Sequence, residues 1–583
     1  MAHKHISFKE LFILLNRPVS TMKYNKATRA LLGLIVLALS PFFSIAKTND
    51  FSPTKDTTRR IVNIVNFIRL LEPRDSAITE DVLYETVHEQ IKLMATYHLP
   101  GSFLLQYDAL INPRYQQLLK NELSADSEIG AWWEITQPHA EAAGLQWRGR
   151  YPWDWHANVG FATGYAPQER EKLVDVYMEK FRSIFGKYPT AVSSWFIDEH
   201  TLGYMYDKYH IVASGNCKDQ IGTDGYTMWG GYWNQAYYPS RVNSYMPAQN
   251  VSSQIGVPVF RMLGSDPIYQ YESGLGTAMS HVITLEPVYE KGGGDQQWVE
   301  WFLKSLANEP CLSFAYTQAG QENSFTWANM KKGFEIQMPI LDSLRKGGKI
   351  SIETLSASGR WFAQKYSVTP ATAVTAFDDY RNEGHKTVWY DSRFYRTNIF
   401  WQHDSLRIRD IHLFDERFES PYLRKAGTST QCIFRALPVI DGFSWGKPDA
   451  LASIRIMKTS TNGKAVEVMS KNTVVKELAD NKLQVTWSDG AKQQFTLVFD
   501  EDHINISSND EPGAKWVLEF RTAPGIKLPF TSFTRQKITA TWDGFEYAIT
   551  LDKGSIEKGG KGKNYVYRII PVNNEVVINC GKR

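Results

Sequence analysis

Acidic residues follow one strand-like segment after another through the first two-thirds of the 583-residue sequence. They lie in stretches rich in aromatic residues, such as Trp132-Trp133-Glu134. Carboxylates gathered among aromatic rings suit cleavage of a glycosidic bond, in which one acid protonates the leaving oxygen and a second attacks the sugar or activates water. Burial against an indole ring would raise the pKa of such an acid. A single acid after a strand is often only a helix cap or an ion-pair partner, so the prediction rests on the whole set.

The candidates fall into two groups. The predicted catalytic residues are Asp198, Glu199, Glu286, Glu353 and Asp108. The predicted substrate-binding residues are Glu134, His139, Trp133, Trp195, His200, Asp224, Trp229 and Glu322. We assign no resident metal or other cofactor to either group.

These residues need a scaffold that brings the ends of many strands together. Strand-like runs alternate with helical patterns such as Pro167–Phe185 and residues 327–345. About eight strands in roughly 300 residues predict a TIM-like β/α barrel over residues 60–375, with its chemistry at the carboxyl ends of the strands. An open doubly wound sheet is the alternative, although no glycine-rich phosphate loop supports it. The predicted strands are 102–107, 128–132, 191–196, 211–213, 258–263, 281–285, 311–316 and 349–355.

Two further regions have a different composition and residue pattern. Residues 216–253 are rich in Gly, Tyr and Trp without helical or strand periodicity, which predicts a loop that lines the site, covers it as a lid, or packs as a structural loop. Beyond residue 385, alternating segments such as 482–487, 494–499 and 537–542 are separated by tight turns. This pattern predicts an all-β, sandwich-like C-terminal domain over residues 385–583. Near its start, Asp391, Arg393, Arg396 and His403 are expected to form an interface with the barrel.

The stretches Gln106-Tyr107-Asp108, 128–134, 194–198 and 353–362 resemble the glycoside hydrolase/deacetylase β/α-barrel superfamily. The whole chain is similar to a group of secreted Bacteroides-type proteins with this barrel and a β-rich C-terminal part. For the deacetylases, the resemblance implies an acidic pair after the first strand and a His-x-x-x-His metal motif after the second. Here Asp108 has no neighbouring Asp, and Glu134 and His139 stand where two histidines are expected.

Three functions are consistent with these observations. The favoured one is a glycoside hydrolase acting on a complex polysaccharide through paired carboxylates. The second is a metal-dependent polysaccharide deacetylase, in which Asp108, His139 and His200 would hold a divalent metal. The third is a non-catalytic glycan-binding protein that uses aromatic platforms. A polysaccharide or oligosaccharide is the expected partner in all three.

The segment that begins at Met22 has the layout of a secretory signal. Three cations precede an apolar core over residues 30–39, and Ser44-Ile45-Ala46 offers a cleavage site before Lys47. We predict a signal peptide over residues 22–46, preceded by a non-translated or disordered extension over residues 1–21. Because Pro41 interrupts the apolar run short of the roughly 20 residues of a membrane span, we expect an exported protein, periplasmic or extracellular, without stable membrane insertion.

The charge and the cysteine content bear on which partners and metal sites are expected. The net charge is +3 without a basic run, so nothing indicates a nucleic-acid partner. The four cysteines are widely spaced and form no CxxC motif, which argues against a cysteine-ligated zinc site. In an oxidising compartment they could form disulfides, with a connectivity that their spacing does not predict.

Overall fold

The computed structural model describes residues 58–459, 465–509, 515–560 and 563–581. The predicted extension, residues 1–21, and the predicted signal peptide, residues 22–46, lie outside the described residues. In the part of the chain that is described, no helix combines the length and the apolar character needed to span a lipid bilayer.

Eleven strands are described in the first 352 residues. They are β1 Arg59–Ile68, β2 Ser102–Leu105, β3 Glu128–Trp132, β4 Ala191–Ser193, β5 Ala213–Asn216, β6 Gln220–Thr223, β7 Tyr226–Trp229, β8 Ala236–Tyr237, β9 Val259–Arg261, β10 Phe314–Ala319 and β11 Ser351–Ile352. Eight of them are parallel and form a nearly closed barrel in the order β10, β1, β2, β3, β4, β5 and β9, with β11 paired to β1. The predicted α/β-barrel class is therefore confirmed.

Helices cover the outside of the barrel wall. They are α1 Glu80–Thr96, α2 Tyr107–Ile111, α3 Pro113–Glu122, α4 Gln137–Ala142, α5 Ala157–Gly160, α6 Pro167–Phe185, α7 Glu199–Tyr209, α8 Gln296–Asn308, α9 Trp327–Lys346 and α10 Leu355–Lys365. The long helices bury one apolar face; in α6 this face includes Leu173, Val174 and Tyr177. Gly186 ends α6 with a φ of 75°, a left-handed conformation that glycine adopts without steric cost.

Two of the strand predictions fail for identifiable reasons. The first barrel strand, β1, was not predicted, because Asn63 and Asn66 interrupt its apolar run. Both amides are buried, and Asn63 Nδ2 donates to the carbonyl of Glu353 at 2.8 Å. The strand predicted at residues 281–285 is wrong. Its backbone is used in a turn, where Gly293 N donates to the carbonyl of Thr284 at 2.8 Å.

The segment 216–253 is more regular than the sequence suggested. It contains the hairpin β6–β7, whose turn places Asp224 and Gly225 at φ of 54° and 79°. A strand from far along the chain, Cys432–Arg435, pairs in parallel with β7. The hairpin is therefore one edge of a three-stranded sheet.

The region after residue 372 is built from antiparallel sheets, as predicted. In chain order its strands are β12 Thr372–Ala376, β13 His385–Asp391, β14 Tyr395–Gln402, β15 Ser405–Leu413, β16 Cys432–Arg435, β17 Leu437–Asp441, β18 Ser453–Thr459, β19 Ala465–Glu467, β20 Lys471–Glu477, β21 Leu483–Ser488, β22 Gln494–Phe499, β23 His503–Ser508, β24 Trp516–Arg521, β25 Phe530–Phe533, β26 Lys537–Trp542, β27 Phe545–Lys553, β28 Ser555–Lys558, β29 Tyr567–Ile570 and β30 Glu575–Asn579.

Most of these strands belong to two large sheets, one of ten strands and one of eight. Aromatic side chains pack between the two sheets, for example Phe495 against Trp516 with ring centres 5.7 Å apart. Residues 58–583 form one compact unit, and the domain boundaries at 375 and 385 stay predictions.

Candidate active site at the barrel mouth

A cavity of about 360 Å³ opens at the carboxyl ends of the barrel strands. We call it the barrel cavity. Arg69 follows β1, Trp195 follows β4, Lys218 follows β5, Leu263 follows β9 and Glu322 follows β10, and all five line it. This is the end of a β/α barrel at which active sites form. The charged lining residues are Arg69, Glu72, Arg74, Asp75, Lys218, Asp224, Glu286 and Glu322.

Glu286 is one of three buried acids in the wall of this cavity; the others are Glu72, which Arg74 compensates, and Glu322. Glu286 is 3% exposed, and its two oxygens accept hydrogen bonds from different side chains. Thr284 Oγ1 donates to Oε2 at 2.6 Å, and Gln321 Nε2 donates to Oε1 at 2.6 Å. Burial raises the pKa of Glu286 above its ordinary value, and the nearby Lys218 ammonium opposes that shift.

Glu322 is another of these buried acids, and it shares a cation with Glu134. Arg69 donates to both oxygens of Glu134, from Nε at 3.0 Å and from Nη2 at 2.7 Å. Its remaining Nη1 lies 2.7 Å from Glu322 Oε2 but without the alignment of a hydrogen bond. Ser324 Oγ donates to Glu322 Oε1 at 2.6 Å. Burial raises the pKa of Glu322 to about 7, because one shared guanidinium compensates its charge only in part.

Gln321 joins these two acids. Its amide nitrogen donates to Glu286, and its amide oxygen accepts a hydrogen bond from the backbone N–H of Glu322 at 2.8 Å. The side chain of Gln321 is fully buried. Gln321 thus holds the carboxylate of Glu286 and the backbone of Glu322 at the end of β10.

Aromatic rings form much of the remaining wall. They are Trp153, Trp155, Trp195, Tyr226, Tyr289 and Phe325. Trp153 lies under the Arg69 guanidinium, 4.3 Å from the ring centre to Cζ, and holds that cation in place. Trp155 is half-buried. Indole faces at a cavity of this kind can stack on the apolar face of a sugar ring.

Of the predicted site residues, four line the barrel cavity: Glu286, Glu322, Asp224 and Trp195. Glu134 lies directly behind it as the partner of Arg69. Asp224 is exposed at the tip of the β6–β7 hairpin, and Trp195 packs edge-on against Phe67. These four residues are spread over a stretch of more than 120 residues in the sequence.

The acids after β4 lie deeper in the protein. Asp198 is fully buried, caps α7 by accepting from Thr201 N at 3.0 Å, and pairs with Arg170 Nη1 at 2.7 Å. Glu199 is 2% exposed, and its Oε2 accepts from Ser244 N at 3.3 Å. Burial raises the pKa of Glu199 to about 8, and the charge of Asp198 adds to the shift. Both carboxylates have protein partners outside the barrel cavity.

Two other predicted catalytic acids also have structural surroundings. Glu353 forms an ion pair with Arg59, the first residue of β1, and accepts from Ser358 Oγ at 2.9 Å. This pairing directs it towards the amino-terminal end of the barrel. Asp108 is buried in α2, and its Oδ1 accepts from Ala109 N at 2.8 Å. Burial raises the pKa of Asp108 to about 7.

The remaining predicted binding residues pack in the walls. His139 Nε2 contacts the carbonyl of Leu173 at 2.8 Å, and burial lowers the pKa of this histidine to about 4. Trp133 is buried against the His139 ring. His200 pairs with Glu171 at 3.0 Å. Trp229 Nε1 donates to Asp441 at 2.9 Å, on the side of the C-terminal sheets.

The donors proposed for a divalent metal have separate partners. His139 contacts a backbone carbonyl and His200 contacts Glu171, so neither is turned towards Asp108. Among the described residues, three groups place enough donor atoms within 4.8 Å of one another to share an ion. They are Glu85–His88–Glu89, Asp379–Glu383–His385 and Asp500–Asp502–His503. None of these residues lines the barrel cavity, so its donor set does not fit the expected metal motif.

Sequence reasoning missed Arg69, Glu72, Arg74 and Lys218. The first three follow β1, the strand that was not predicted. The run Ile61-Val62, Ile64-Val65 and Phe67-Ile68 was the available signal, because paired apolar residues on both sides of each Asn fit a strand buried on both faces. Lys218 follows β5, which was predicted to end at residue 213 and extends to Asn216.

Comparison with known proteins gives matches in structure only. No protein-family model matches the chain, and no curated protein matches its sequence. A glycoside hydrolase/deacetylase structure from Parabacteroides distasonis is similar to it over 65% of this chain and 90% of the other, with 14% identity and a TM-score of 0.46.

Two polysaccharide deacetylase structures are also similar. The one from Mycobacterium smegmatis covers 54% of this chain and 94% of its own, with 10% identity and a TM-score of 0.34. The one from Pseudomonas aeruginosa PAO1 covers 53% and 93%, with 10% identity and a TM-score of 0.33. These are the classes of structure that the sequence resembles. Because every TM-score is below 0.5, we take the function from the geometry of the barrel cavity.

Proposed function

We propose that the protein is an exported glycoside hydrolase that cleaves a complex polysaccharide. Glu322 is the general acid, and Glu286 is the carboxylate that attacks the sugar or activates water. The observation that carries the proposal is this pair of buried carboxylates in the wall of one cavity, each with different polar partners. Two acids whose surroundings separate their roles are what glycoside cleavage requires.

The surroundings of Glu322 suit an acid that holds its proton. The one cation beside it, Arg69, already makes two hydrogen bonds to Glu134. A pKa of about 7 keeps much of Glu322 protonated at neutral pH, so it has a proton to give to the leaving oxygen.

The surroundings of Glu286 suit an acid that acts as an anion. It accepts two short hydrogen bonds, from Thr284 and Gln321, and both favour the ionised form. The Lys218 ammonium acts in the same direction by lowering the pKa. Since burial works against this, Glu286 is a carboxylate with a pKa nearer to neutral than that of an exposed glutamate.

Two amide variants test the assignment. We expect Glu286→Gln and Glu322→Gln each to reduce sugar release from a panel of polysaccharides by about 10²–10⁴-fold. Glu199→Gln is the matched control, because Glu199 is as buried as Glu286 but has its partner outside the cavity. Circular dichroism checks that all three variants fold. Unchanged release by folded Glu286→Gln would refute the proposal.

The role of Glu322 has its own test. An aryl glycoside with an acidic phenol as leaving group needs little help from a general acid. Glu322→Gln should therefore keep most of its activity on such a substrate while losing it on the polysaccharide. Glu286→Gln should lose activity on both. An equal loss on both substrates in Glu322→Gln would remove the acid role from this residue.

The other two functions are outcomes of the same experiment. Release of acetate instead of reducing sugar, lost in chelator and restored by a divalent metal, would favour the deacetylase. Glycan binding without turnover, unchanged in both amide variants, would favour a binding protein. Export is supported by the composition of residues 22–46. An N-terminus at Lys47 in the exported protein, read by mass spectrometry, tests it.

A further inference from the structure

Lys218 is a buried cation in the wall of the barrel cavity without a partner. Its residue is 1% exposed, and its Nζ has no hydrogen-bond partner among the described residues. Buried ammonium groups are costly unless they are paired, and a native structure rarely leaves one unsatisfied. An unpaired ammonium that lines a cavity is therefore expected to bind a group that enters the cavity.

The other cations of the barrel cavity are already compensated. Arg69 pairs with Glu134 and Glu322. Arg74 makes two hydrogen bonds to Glu72, at 2.7 Å and 2.6 Å. Lys218 differs from both, because Glu286, the acid whose pKa its charge lowers, has its oxygens occupied by Thr284 and Gln321. Its charge is available to a ligand.

The acids at the rim do not cancel this charge. Asp224 lies exposed at the hairpin tip, and Asp75 is also exposed. Water and salt screen charges in such positions, whereas a buried charge is screened much less. The charge that a bound sugar meets at the bottom of the cavity is therefore that of Lys218 beside the reacting acids.

A second cavity adjoins the first, and Lys and Arg side chains outnumber acids in its wall. It has a volume of about 510 Å³ and shares Val282 with the barrel cavity. Lys291 and Arg381 line it, and both are exposed. The acid in its wall, Glu272, is held by Arg407, also a lining residue, at 2.6 Å and 2.7 Å. A glycan that reaches this cavity would meet Lys291 and Arg381, whose exposed charges are screened by water and salt more than that of Lys218.

We propose that the substrate is an acidic glycan and that Lys218 determines this specificity. Its ammonium binds the carboxylate of a uronic acid or the sulfate of a sulfated sugar at the cleavage site. The inference rests on the proposed function, because it names the substrate class for the same cavity. A charge-assisted hydrogen bond in a buried site is among the strong polar contacts, and its loss leaves the substrate anion unpaired.

The test compares matched pairs of polysaccharides. A uronic-acid polymer is paired with its carboxyl-reduced form, and a sulfated glycan with its desulfated form. Binding of oligosaccharides from each is measured by calorimetry to the Glu286→Gln protein, and cleavage is measured with the wild type. We expect the wild type to favour one acidic member by roughly 10²-fold over its neutral partner. The pair that shows the preference identifies carboxylate or sulfate.

Lys218→Met removes the charge and keeps the length of the side chain. It should abolish the preference, so that the acidic and neutral partners are bound and cleaved alike, while overall activity falls because the Lys218 charge no longer lowers the pKa of Glu286. Lys208→Met, at an exposed lysine paired with Asp175, is the control and should keep the preference. Equal binding and cleavage of acidic and neutral partners by the wild type would overturn the inference, and so would a preference that survives in Lys218→Met.

The two proposals fail in different ways. If Glu286→Gln abolishes cleavage of a neutral glycan that the wild type prefers, the hydrolase stands and the role of Lys218 falls. If acidic glycans bind through Lys218 but no variant alters turnover, the recognition stands and the hydrolase falls. Thermal unfolding tests whether Lys218 has a structural role instead. Because its ammonium is buried and unpaired, Lys218→Met should not lower the melting temperature.

Discussion

At the scale of single residues, the site depends on one arginine that serves two acids. Arg69 makes its two well-aligned hydrogen bonds to Glu134 and only an oblique contact to Glu322. The ring of Trp153 below the guanidinium restricts it from turning towards Glu322. Burial raises the pKa of Glu322 to about 7 and the oblique contact compensates its charge only in part, so we assign the proton to Glu322.

The pH dependence of activity follows from the two acids. Glu322 must be protonated to act, and its pKa is about 7, so activity should fall as the pH rises through about 7. Glu286 must be ionised, and its pKa is raised, so activity should fall on the acid side at a pH above the ordinary range of a glutamate. A plot of kcat/KM against pH should be bell-shaped, with its alkaline limb at about pH 7.

Glu322→Gln is the informative variant for this profile. With the amide in place, the alkaline fall should disappear from the residual activity on an aryl glycoside, while the acidic fall stays. An alkaline fall that is retained in Glu322→Gln would assign that titration to another group.

At the scale of elements, the sequence predicted the barrel better than it predicted the site. Seven of the eight predicted strands overlap observed ones, because parallel strands buried on both faces give continuous apolar runs. The missing strand, β1, carries the buried polar residues Asn63 and Asn66, and the sequence does not show that the Asn63 amide finds a partner nearly 300 residues away. Because β1 was not predicted, Arg69 and Arg74, which follow it, were not predicted as site residues either.

The candidate acids were also predicted less well than the strands that precede them. Glu286 and Glu322 were both named from their positions after predicted strands, as were Asp198 and Glu353. Asp198 and Glu353 lie outside the cavity because each pairs with an arginine that is distant in the sequence. Arg170 pairs with Asp198, and Arg59 pairs with Glu353. Such pairings are set by tertiary packing, so spacing along the chain does not distinguish the acids in the cavity from the structural ones.

The β6–β7 hairpin gives a prediction at this scale. Gly225 has a φ of 79° and a nearest contact of 3.9 Å, so a methyl group there causes backbone strain without a clash. We expect Gly225→Ala to cost about 1–2 kcal/mol of unfolding free energy. Because the strain distorts the hairpin that carries Asp224 to the cavity, KM should rise as well.

Gly525→Ala provides the matched control for this variant. Gly525 has a φ of 80° and no atom within 4 Å of an added methyl group, and it lies in a turn of the C-terminal sheets. It should lose a similar amount of stability in urea unfolding without a change in KM. Equal KM values for the two variants would mean that the hairpin does not shape the cavity.

At the scale of the whole molecule, buried ion pairs join the barrel to the C-terminal sheets. Arg396 on β14 contacts Asp219, the neighbour of Lys218, and donates to both oxygens of Asp410 at 3.0 Å and 2.9 Å. Arg261 on β9 donates to the same Asp219 at 2.7 Å. All these side chains are fully buried. The position of Lys218 therefore depends on a residue of the β-sheet region.

Removal of Arg396 should destabilise both regions together. Arg396→Met leaves Asp219 and Asp410 buried without their shared cation, which costs about 3–5 kcal/mol. We expect calorimetry to show a single unfolding transition at a lower temperature. Two separate transitions, with the barrel unaffected, would show that the regions fold independently. Arg393→Met, at a less buried pair with Glu501, should change the melting temperature much less.

The parallel pairing of β7 with β16 affects how the chain folds during its synthesis. The hairpin beside the cavity acquires its neighbour only when Cys432–Arg435 has been made. Synthesis of the roughly 200 residues in between takes about 10–40 s at typical rates. During that interval the edge of β7 is open to pairing with strands of other nascent chains. A chaperone that holds this chain extended until synthesis is complete would therefore prevent wrong pairing at the edge of β7.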